Sequence, residues 1–337
     1  AENIKSENMD DIVTNISKVK EDIIGLRHHD LTCMGQSLEN FKETIASLSK
    51  LIAHDVTKIS LMLGSPPYPD IETLKSLFSP MIPRLCLLQN TLEQTPKVGG
   101  RTLYKQYYQG VCSIVESVEE FCKQVIAFQS YPRSEGMKLL RTAQALENCD
   151  QIVNIPLKPA EIVRKKIQDE TDLIRDAFEE LCSVESARSD GELSDASDDG
   201  DEFEQPIPSL SSRHREILPY CLALVKVGLG MLKKLSQAIK RSGRSEKLEE
   251  VEELDKIGEM CSLVTSTVDD FVIAAEPPLS YEALKEAASE LSKKYLEVLN
   301  IVPACHFSTE DDENWVQILR TAVDHNFKKI KENRCVA

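Results

Sequence analysis

Glycine and aromatic residues are scarce in this 337-residue chain, which has 13 glycines, 9 phenylalanines, 8 tyrosines and one tryptophan. Sheets rely on turn glycines and on aromatic or β-branched strands, so this composition disfavours a β-rich fold. No stretch approaches 18 consecutive apolar residues, so we expect no membrane-spanning helix. The first 30 residues carry charges throughout, so we expect no secretory signal within them.

Catalytic and metal-binding motifs are also missing from the sequence. There is no G-x-S-x-G, P-loop, H-E-x-x-H or G-x-G-x-x-G pattern, and no C-x-x-C among the ten cysteines. His29 with Cys33 offers two ligands, and His306 offers a pair with Cys305 or Glu310, whereas a metal site needs three or four. We therefore predict no catalytic residue, no metal site and no cofactor, and hence not an enzyme. The cysteines are expected to be reduced, buried thiols.

Positive charge is in deficit, and the formal net charge is −16. Such a chain repels nucleic-acid backbones and anionic membranes, so we expect no direct nucleic-acid binding. The cations cluster between Lys233 and Lys247 and again near the C-terminus, where helix-dipole pairing is the expected role. The carboxylates between Glu246 and Glu253 are expected to form a solvated helix face.

Apolar residues recur at helical spacing along nearly the whole chain, which predicts about ten helices and no strand. The region from Asp70 to Glu93 contains Pro80 and Pro83, so its helix should be kinked or split. The last helix is predicted at Glu310–Glu332. Its capping-box-like start is formed by four residues: Ser308, Thr309, Asp311 and Asp312.

An acidic segment at 185–204 interrupts this pattern with nine carboxylates and one arginine, a net charge of −8 that is half of the chain's total. Its few apolar residues cannot offset the entropy of ordering, so we predict a disordered loop over 185–206. We expect an all-α fold of two tandem antiparallel bundles of about five helices each. Prolines 156 and 159 favour a boundary between 1–155 and 156–337, although the acidic segment is a second candidate boundary for the helix at 157–185.

Two short motifs are candidates for regulation and docking. Ser189, Ser194 and Ser197 have the acidic context that acid-directed kinases prefer, and the alternative is an inert solvated loop. Arg101 and Leu103 fit the loose R-x-L-apolar pattern of cyclin-docking peptides, and the alternative is that Leu103 belongs to the core.

The C-terminal half contains a series of segments with a recognisable order and spacing. They are Ile217–Val225, Leu232–Lys234, Ser266–Phe271, Glu276–Leu279, Glu313–Trp315, Ala322–His325 and Lys329–Glu332. This series resembles the cyclin-D-binding protein family (GCIP, also described as the human homologue of a maternal Id-like protein), and the acidic segment lies at the matching place. The N-terminal half matches more loosely, through Phe41 and Leu63–Pro66, while Pro80 and Pro83 depart from the pattern.

The resemblance implies a non-enzymatic negative regulator of cell-cycle progression. It implies as partners D-type cyclins, helix-loop-helix or Id-type transcriptional regulators and signalling adaptors, in both cytoplasm and nucleus. The residues themselves equally fit a scaffold or cytoskeletal adaptor of the vinculin or talin kind, because amphipathic helices serve both roles.

Overall fold

The computed structural model describes residues 9–29, 31, 37–64, 66–130, 135–186 and 212–332, and it is helical. Within these ranges there are eleven α-helices and no strand, which confirms the all-α prediction. Most of the acidic segment, residues 187–204, lies outside the described ranges. The helices are α1 Met9–Gly25, α2 Leu38–Met62, α3 Ile71–Phe78, α4 Met81–Glu93, α5 Gly100–Ser130, α6 Glu135–Val153, α7 Pro159–Ser186, α8 Ser212–Ser242, α9 Leu248–Ala275, α10 Tyr281–Ile301 and α11 Glu310–Glu332.

The chain divides into two compact units, Ala1–Ile162 and Val163–Ala337. The first contains α1 to α6 and the second contains α8 to α11, while the division falls just after the start of α7. Two tandem helical bundles were expected, with the boundary between 155 and 156. That exact boundary stays a prediction.

In the first unit, α2 packs against α4 and α6, and α5 packs against α1 and α6. The α2–α6 pair is antiparallel, because Ser60 near the end of α2 meets Thr142 in α6 at 2.8 Å, whereas Lys42 near its start donates to the Ile155 carbonyl at 2.9 Å.

Helices α1 and α5 are joined through a buried carboxylate. Glu119 is 6% exposed and accepts hydrogen bonds from Ser17 Oγ at 2.9 Å and Lys20 Nζ at 3.2 Å. Burial alone would raise the pKa of Glu119, but hydrogen bonds from Lys123, Ser17 and Lys20 outweigh burial and lower it. The carboxylate therefore stays charged and fixes the register of two helices.

Proline divides the third predicted helical region, as the sequence indicated. Helix α3 ends at Phe78, Pro80 stands at the N-cap of α4, and Pro83 lies in the first turn of α4. Proline is tolerated in a first turn because the backbone N–H groups there have no partner within the helix. The first unit consequently has six helices rather than about five.

In the second unit, α9 packs on α10, and α11 packs on both α8 and α10. Gly230 of α8 faces Leu319 of α11, and Arg241, further along α8, pairs with Asp312 near the start of α11. The order reverses between the two helices, so α8 and α11 are antiparallel. The apolar residues that recur at helical spacing in α8 are largely buried, among them Leu218, Val225 and Leu232.

Candidate protein-binding surface

Large apolar side chains are exposed at the turn between α2 and α3. Among the described residues of the first unit, eight large apolar side chains are exposed, and half of them lie between residues 61 and 71. These are Leu61 at 73% exposure, Met62 at 38%, Tyr68 at 40% and Ile71 at 50%, and we call them the α2–α3 tip. Clustered exposed apolar residues are typical of protein interaction sites, whereas scattered ones need no explanation.

The α2–α3 tip is held in place by the residues around it. Leu63 is 4% exposed and Leu74 is fully buried, so the chain is fixed to the core on both sides of the turn. Asp70 caps α3 by accepting the Thr73 backbone N–H at 2.8 Å. The side-chain and backbone hydrogen bonds of Thr73 lower the pKa of Asp70. The exposed side chains therefore lie between two anchored helix ends, in a stretch of sequence (61–71) whose single charged residue is Asp70.

The α2–α3 tip is not among the sites predicted from the sequence. The run of apolar residues Leu61–Leu63 could have indicated an exposed apolar side chain here. Three consecutive apolar residues cannot all face one side of a helix, so at least one must point away from the core when the helix lies on a surface. The structure buries Leu63 and exposes the other two.

A polar cluster in the second unit connects the end of α8 to the start of α11, and we call it the Asp312 cluster. Asp312 is 3% exposed and accepts hydrogen bonds from Trp315 Nε1 at 2.8 Å and from the backbone N–H of Thr309 at 2.9 Å. It also pairs with Arg241. Burial acts to raise the pKa of Asp312, but these hydrogen bonds together lower it. The carboxylate thus serves as a charged cap for α11.

A neighbouring cluster joins the start of α9 to the segment before α11. Glu253 accepts hydrogen bonds from the His306 backbone N–H at 2.9 Å and pairs with its Nδ1 at 2.8 Å, while His306 Nε2 accepts the Arg244 backbone N–H at 3.1 Å. The Arg244 side chain binds Glu250, which is 7% exposed. The prediction of a solvated face was therefore wrong for Glu250, which is buried, whereas the side chain of Glu253 is 39% exposed and pairs with His306.

The cluster around Glu253 accounts for the histidine that the sequence singled out as half of a metal site. His306 binds Glu253 and the backbone of Arg244, and neither Cys305 nor Glu310 is among its partners. Across the described ranges, no group of three or more His, Cys, Asp or Glu residues is placed to hold a metal ion. No described helix is both long and apolar enough to cross a membrane.

The buried thiols have no sign of activation. Burial raises the pKa of Cys149, Cys221 and Cys261 to about 12 each, and it also raises the pKa of Cys122. A thiol is nucleophilic only as the thiolate, so these cysteines are unreactive at neutral pH.

The predicted docking pair is divided between surface and core. Arg101 is exposed and donates to the His29 carbonyl at 3.3 Å, whereas Leu103 is fully buried in α5. A docking peptide needs its leucine free, so use of this pair would require the first turn of α5 to open. Ser189, Ser194 and Ser197 lie outside the described residues, and their phosphorylation stays a prediction.

These features together define an all-helical protein of two bundles with an exposed apolar surface, a class typical of protein–protein interaction modules. Two family models match the chain: the N-terminal model of the Grap2 and cyclin-D-interacting proteins over residues 44–187, and the C-terminal model over residues 194–300. The chain belongs to the Grap2 and cyclin-D-interacting family, which confirms the resemblance stated above.

Curated relatives match over most of their length. The Xenopus laevis cyclin-D1-binding protein 1 homologue is 28% identical over 297 residues, covering 87% of this chain and 88% of the relative. The Danio rerio homologue is 26% identical over 299 residues, covering 88% and 86%. The Homo sapiens cyclin-D1-binding protein 1 is 21% identical over 307 residues, covering 87% and 84%.

Proposed function

We propose that this chain is a non-catalytic interaction protein that binds a D-type cyclin. The observation that carries the proposal is the match of both family models, together with relatives named for cyclin-D1 binding that are aligned over more than four-fifths of their length. A helical fold with exposed apolar side chains is compatible with such a role.

The α2–α3 tip is the surface that we propose for cyclin contact. Stable interfaces have an apolar centre that becomes desolvated on binding, and a few large side chains carry most of the binding energy. Leu61 and Ile71 are half-exposed or more and come from two different helices. They would bury apolar area without any cost in the core of the first unit.

A pull-down with purified full-length chain tests the proposal against the scaffold alternative. Immobilised chain is incubated in parallel with a D-type cyclin and with filamentous actin. We expect the cyclin to be retained and the actin to pass through. Retention of actin without cyclin would support a cytoskeletal adaptor and overturn the proposal.

The surface is tested separately with a double variant, Leu61→Ser with Ile71→Ser. It should reduce cyclin retention by about tenfold or more, since each buried leucine or isoleucine contributes about 1.5–3 kcal/mol. Leu87→Ser is the matched control, because Leu87 is 52% exposed on α4 outside the α2–α3 tip. Undiminished retention by the double variant would show that the cyclin contacts another surface, but it would not contradict the proposal that the chain binds a cyclin.

We further propose that cyclin binding lowers phosphorylation of the retinoblastoma protein, and that the chain acts in cytoplasm and nucleus and also binds helix-loop-helix or Id-type regulators. The family membership motivates this extension. A kinase assay with increasing amounts of chain should show a dose-dependent fall in retinoblastoma phosphorylation. An unchanged rate at saturating cyclin binding would contradict the regulatory role.

A further inference from the structure

Two large apolar side chains are exposed along the line where α7 and α9 meet in the second unit. Leu173 of α7 is 54% exposed and Ile273 of α9 is 69% exposed. The two helices touch at a hydrogen bond from Ser262 Oγ to the Glu170 carboxylate. Leu173 lies three residues after Glu170, and Ile273 lies eleven residues after Ser262. Residues three or eleven apart lie on the same face of a helix. Leu173 therefore shares the face of Glu170, Ile273 shares the face of Ser262, and both side chains lie along this contact line.

The two helices run in the same direction here. The pKa of Asp269 is raised mainly by burial. Repulsion from Asp270 and from Glu170 and Glu180 of α7 raises it further. Asp269 of α9 therefore lies within range of two α7 carboxylates that are ten residues apart. Because Glu170 lies opposite Ser262 and Ile273 lies eleven residues after Ser262, the position of α7 opposite Ile273 is about eleven residues after Glu170, close to residue 181. Leu173 and Ile273 are then separated by roughly 12 Å along the axis, or about two helical turns.

The contact line that carries the two apolar side chains is acidic. Glu170 and Glu180 contribute from α7 and Asp269 contributes from α9, and Asp269 is exposed. Burial also raises the pKa of Asp169, the residue before Glu170. The positive charge of Lys165 acts to lower this pKa, whereas the carboxylates of Asp172 and Glu170 act to raise it. Carboxylates that repel one another favour a ligand that brings positive charge among them.

Charge decides which molecule can cover this surface. The chain's own segment at 185–204 follows α7 directly but carries a net charge of −8, so the carboxylates of α7 and α9 repel it. A second copy of the chain has a net charge of −16 and is also disfavoured. A basic partner gains attraction to the carboxylates and burial of its apolar side chains at once.

We propose that the α7–α9 surface, defined by Glu170, Leu173, Glu180, Asp269 and Ile273, docks a basic amphipathic helix from another protein. The roughly 12 Å separation of the two apolar side chains matches residues i and i+7 of a helix, so the partner carries apolar residues at that spacing and lysine or arginine beside them. This surface lies in the second unit and is independent of the cyclin contact proposed for the α2–α3 tip.

The test uses a fluorescein-labelled synthetic peptide and the full-length chain. The peptide has leucine at i, i+4 and i+7 and lysine at the flanking positions, and a scrambled peptide of identical composition serves as the first control. Anisotropy should report saturable binding of the amphipathic peptide and at least tenfold weaker binding of the scrambled one. Binding should weaken as salt rises from about 50 to about 500 mM, because the charges are solvent-exposed. Equal binding of the two peptides would overturn the proposal.

Two double variants locate the binding surface. Leu173→Ser with Ile273→Ser removes the apolar contacts, and Glu180→Gln with Asp269→Asn removes charge. Each should weaken peptide binding by about tenfold. The controls are Leu87→Ser and Glu39→Gln, which are exposed changes of the same chemistry in the first unit. Wild-type affinity in both double variants would contradict the proposal.

Analytical sedimentation of the peptide-free chain tests whether a second copy of the chain occupies the surface instead. The expected result is the same sedimentation coefficient for wild type and for the Leu173→Ser, Ile273→Ser variant. If wild type self-associates and the variant does not, the surface holds a second copy of the chain and the proposal is wrong. Cyclin retention by this variant should equal wild type, so failure here is separable from failure of the cyclin proposal.

Discussion

At the residue scale, the buried carboxylate of Asp312 joins the end of α8 to the start of α11. Its carboxylate meets Trp315, the backbone and hydroxyl of Thr309, and Arg241 from the end of α8. The sequence predicts the local part, because Thr309 and Asp312 have capping-box spacing. It could not predict Arg241, which is 71 residues away and reaches Asp312 only through the packing of α8 on α11.

Replacing Asp312 with asparagine should lower the free energy of unfolding by about 2 kcal/mol, because a buried charge-assisted hydrogen-bond set is lost. Urea denaturation followed by the fluorescence of Trp315, the single tryptophan, measures the change. Asp311→Asn, an exposed change in the same helical turn, is the control and should cost only a few tenths of a kcal/mol. Equal losses of unfolding free energy in the two variants would contradict a stabilising role for the buried Asp312 carboxylate.

The stabilisation by Asp312 should also depend on pH. Its pKa is lower in the folded chain than in the unfolded chain, so the stabilisation is fully present above the ordinary aspartate pKa. It is lost as pH falls through the lowered value. The difference in stability between wild type and Asp312→Asn should therefore shrink in acid, and a difference that grows as pH falls would contradict this sign.

Gly228 of α8 gives a second prediction at this scale. A Cβ at this position would lie 2.5 Å from Tyr295 Oη and 3.2 Å from its Cζ. Alanine ordinarily stabilises a helix interior by about 1 kcal/mol relative to glycine, but here the clash should reverse the sign and destabilise by about 1–3 kcal/mol. Thermal unfolding measures the change.

Tyr295→Phe tests the cause, since it removes the hydroxyl that the new methyl would meet. In the Tyr295→Phe background, Gly228→Ala should cost less than half of what it costs in wild type. Additive effects in this double-mutant cycle would show that the clash is not with the tyrosine hydroxyl.

At the element scale, much of the helix pattern could be predicted from apolar spacing and helix-terminal signals. Helix α11 begins and ends where predicted, at Glu310 and Glu332, because its capping residues and apolar stripe agree. The split at Pro80 followed from the missing backbone N–H of proline. The buried Glu250 could not be predicted, since its local pattern of carboxylates is the same as that of a solvated face and only Arg244 and the backbone of the preceding turn distinguish it.

The acidic line between α7 and α9 should make stability depend on pH in the opposite sense to Asp312. The pKa of Asp269 is raised in the folded chain, so stability is lost as pH rises through that value. Asp269→Asn should therefore raise Tm at pH 7, and the gain should vanish below the ordinary aspartate pKa. Asp324→Asn, exposed on α11, controls for the change in net charge. No gain beyond this control would contradict mutual repulsion at Asp269.

At the scale of the whole molecule, the sequence predicted two bundles but left the place of α7 open. The structure groups α7 from Val163 onward with the second unit, whereas the N-terminal family model extends to residue 187. Prolines 156 and 159 mark a boundary by their local effect on the backbone. Only tertiary contacts, such as Ser262 with Glu170, assign the helix to a unit.

A protease site inserted after Gly200 tests this assignment. After cleavage, α7 remains covalently attached to the first unit while α8 to α11 form the other fragment. We expect the two fragments to elute together from a sizing column, because the buried side chains of α7, among them Ile167, Ile174 and Leu181, pack within the second unit. Separate elution of two folded fragments would place α7 with the first bundle.

Cyclin binding is the central claim, and calorimetric titration of purified full-length chain with a purified D-type cyclin tests it most directly. We expect a saturable binding isotherm with one cyclin per chain. We also expect a negative heat-capacity change, because the contact proposed at the α2–α3 tip buries apolar surface. A titration without saturable heat at several temperatures, using cyclin that is active with its kinase, would contradict the account.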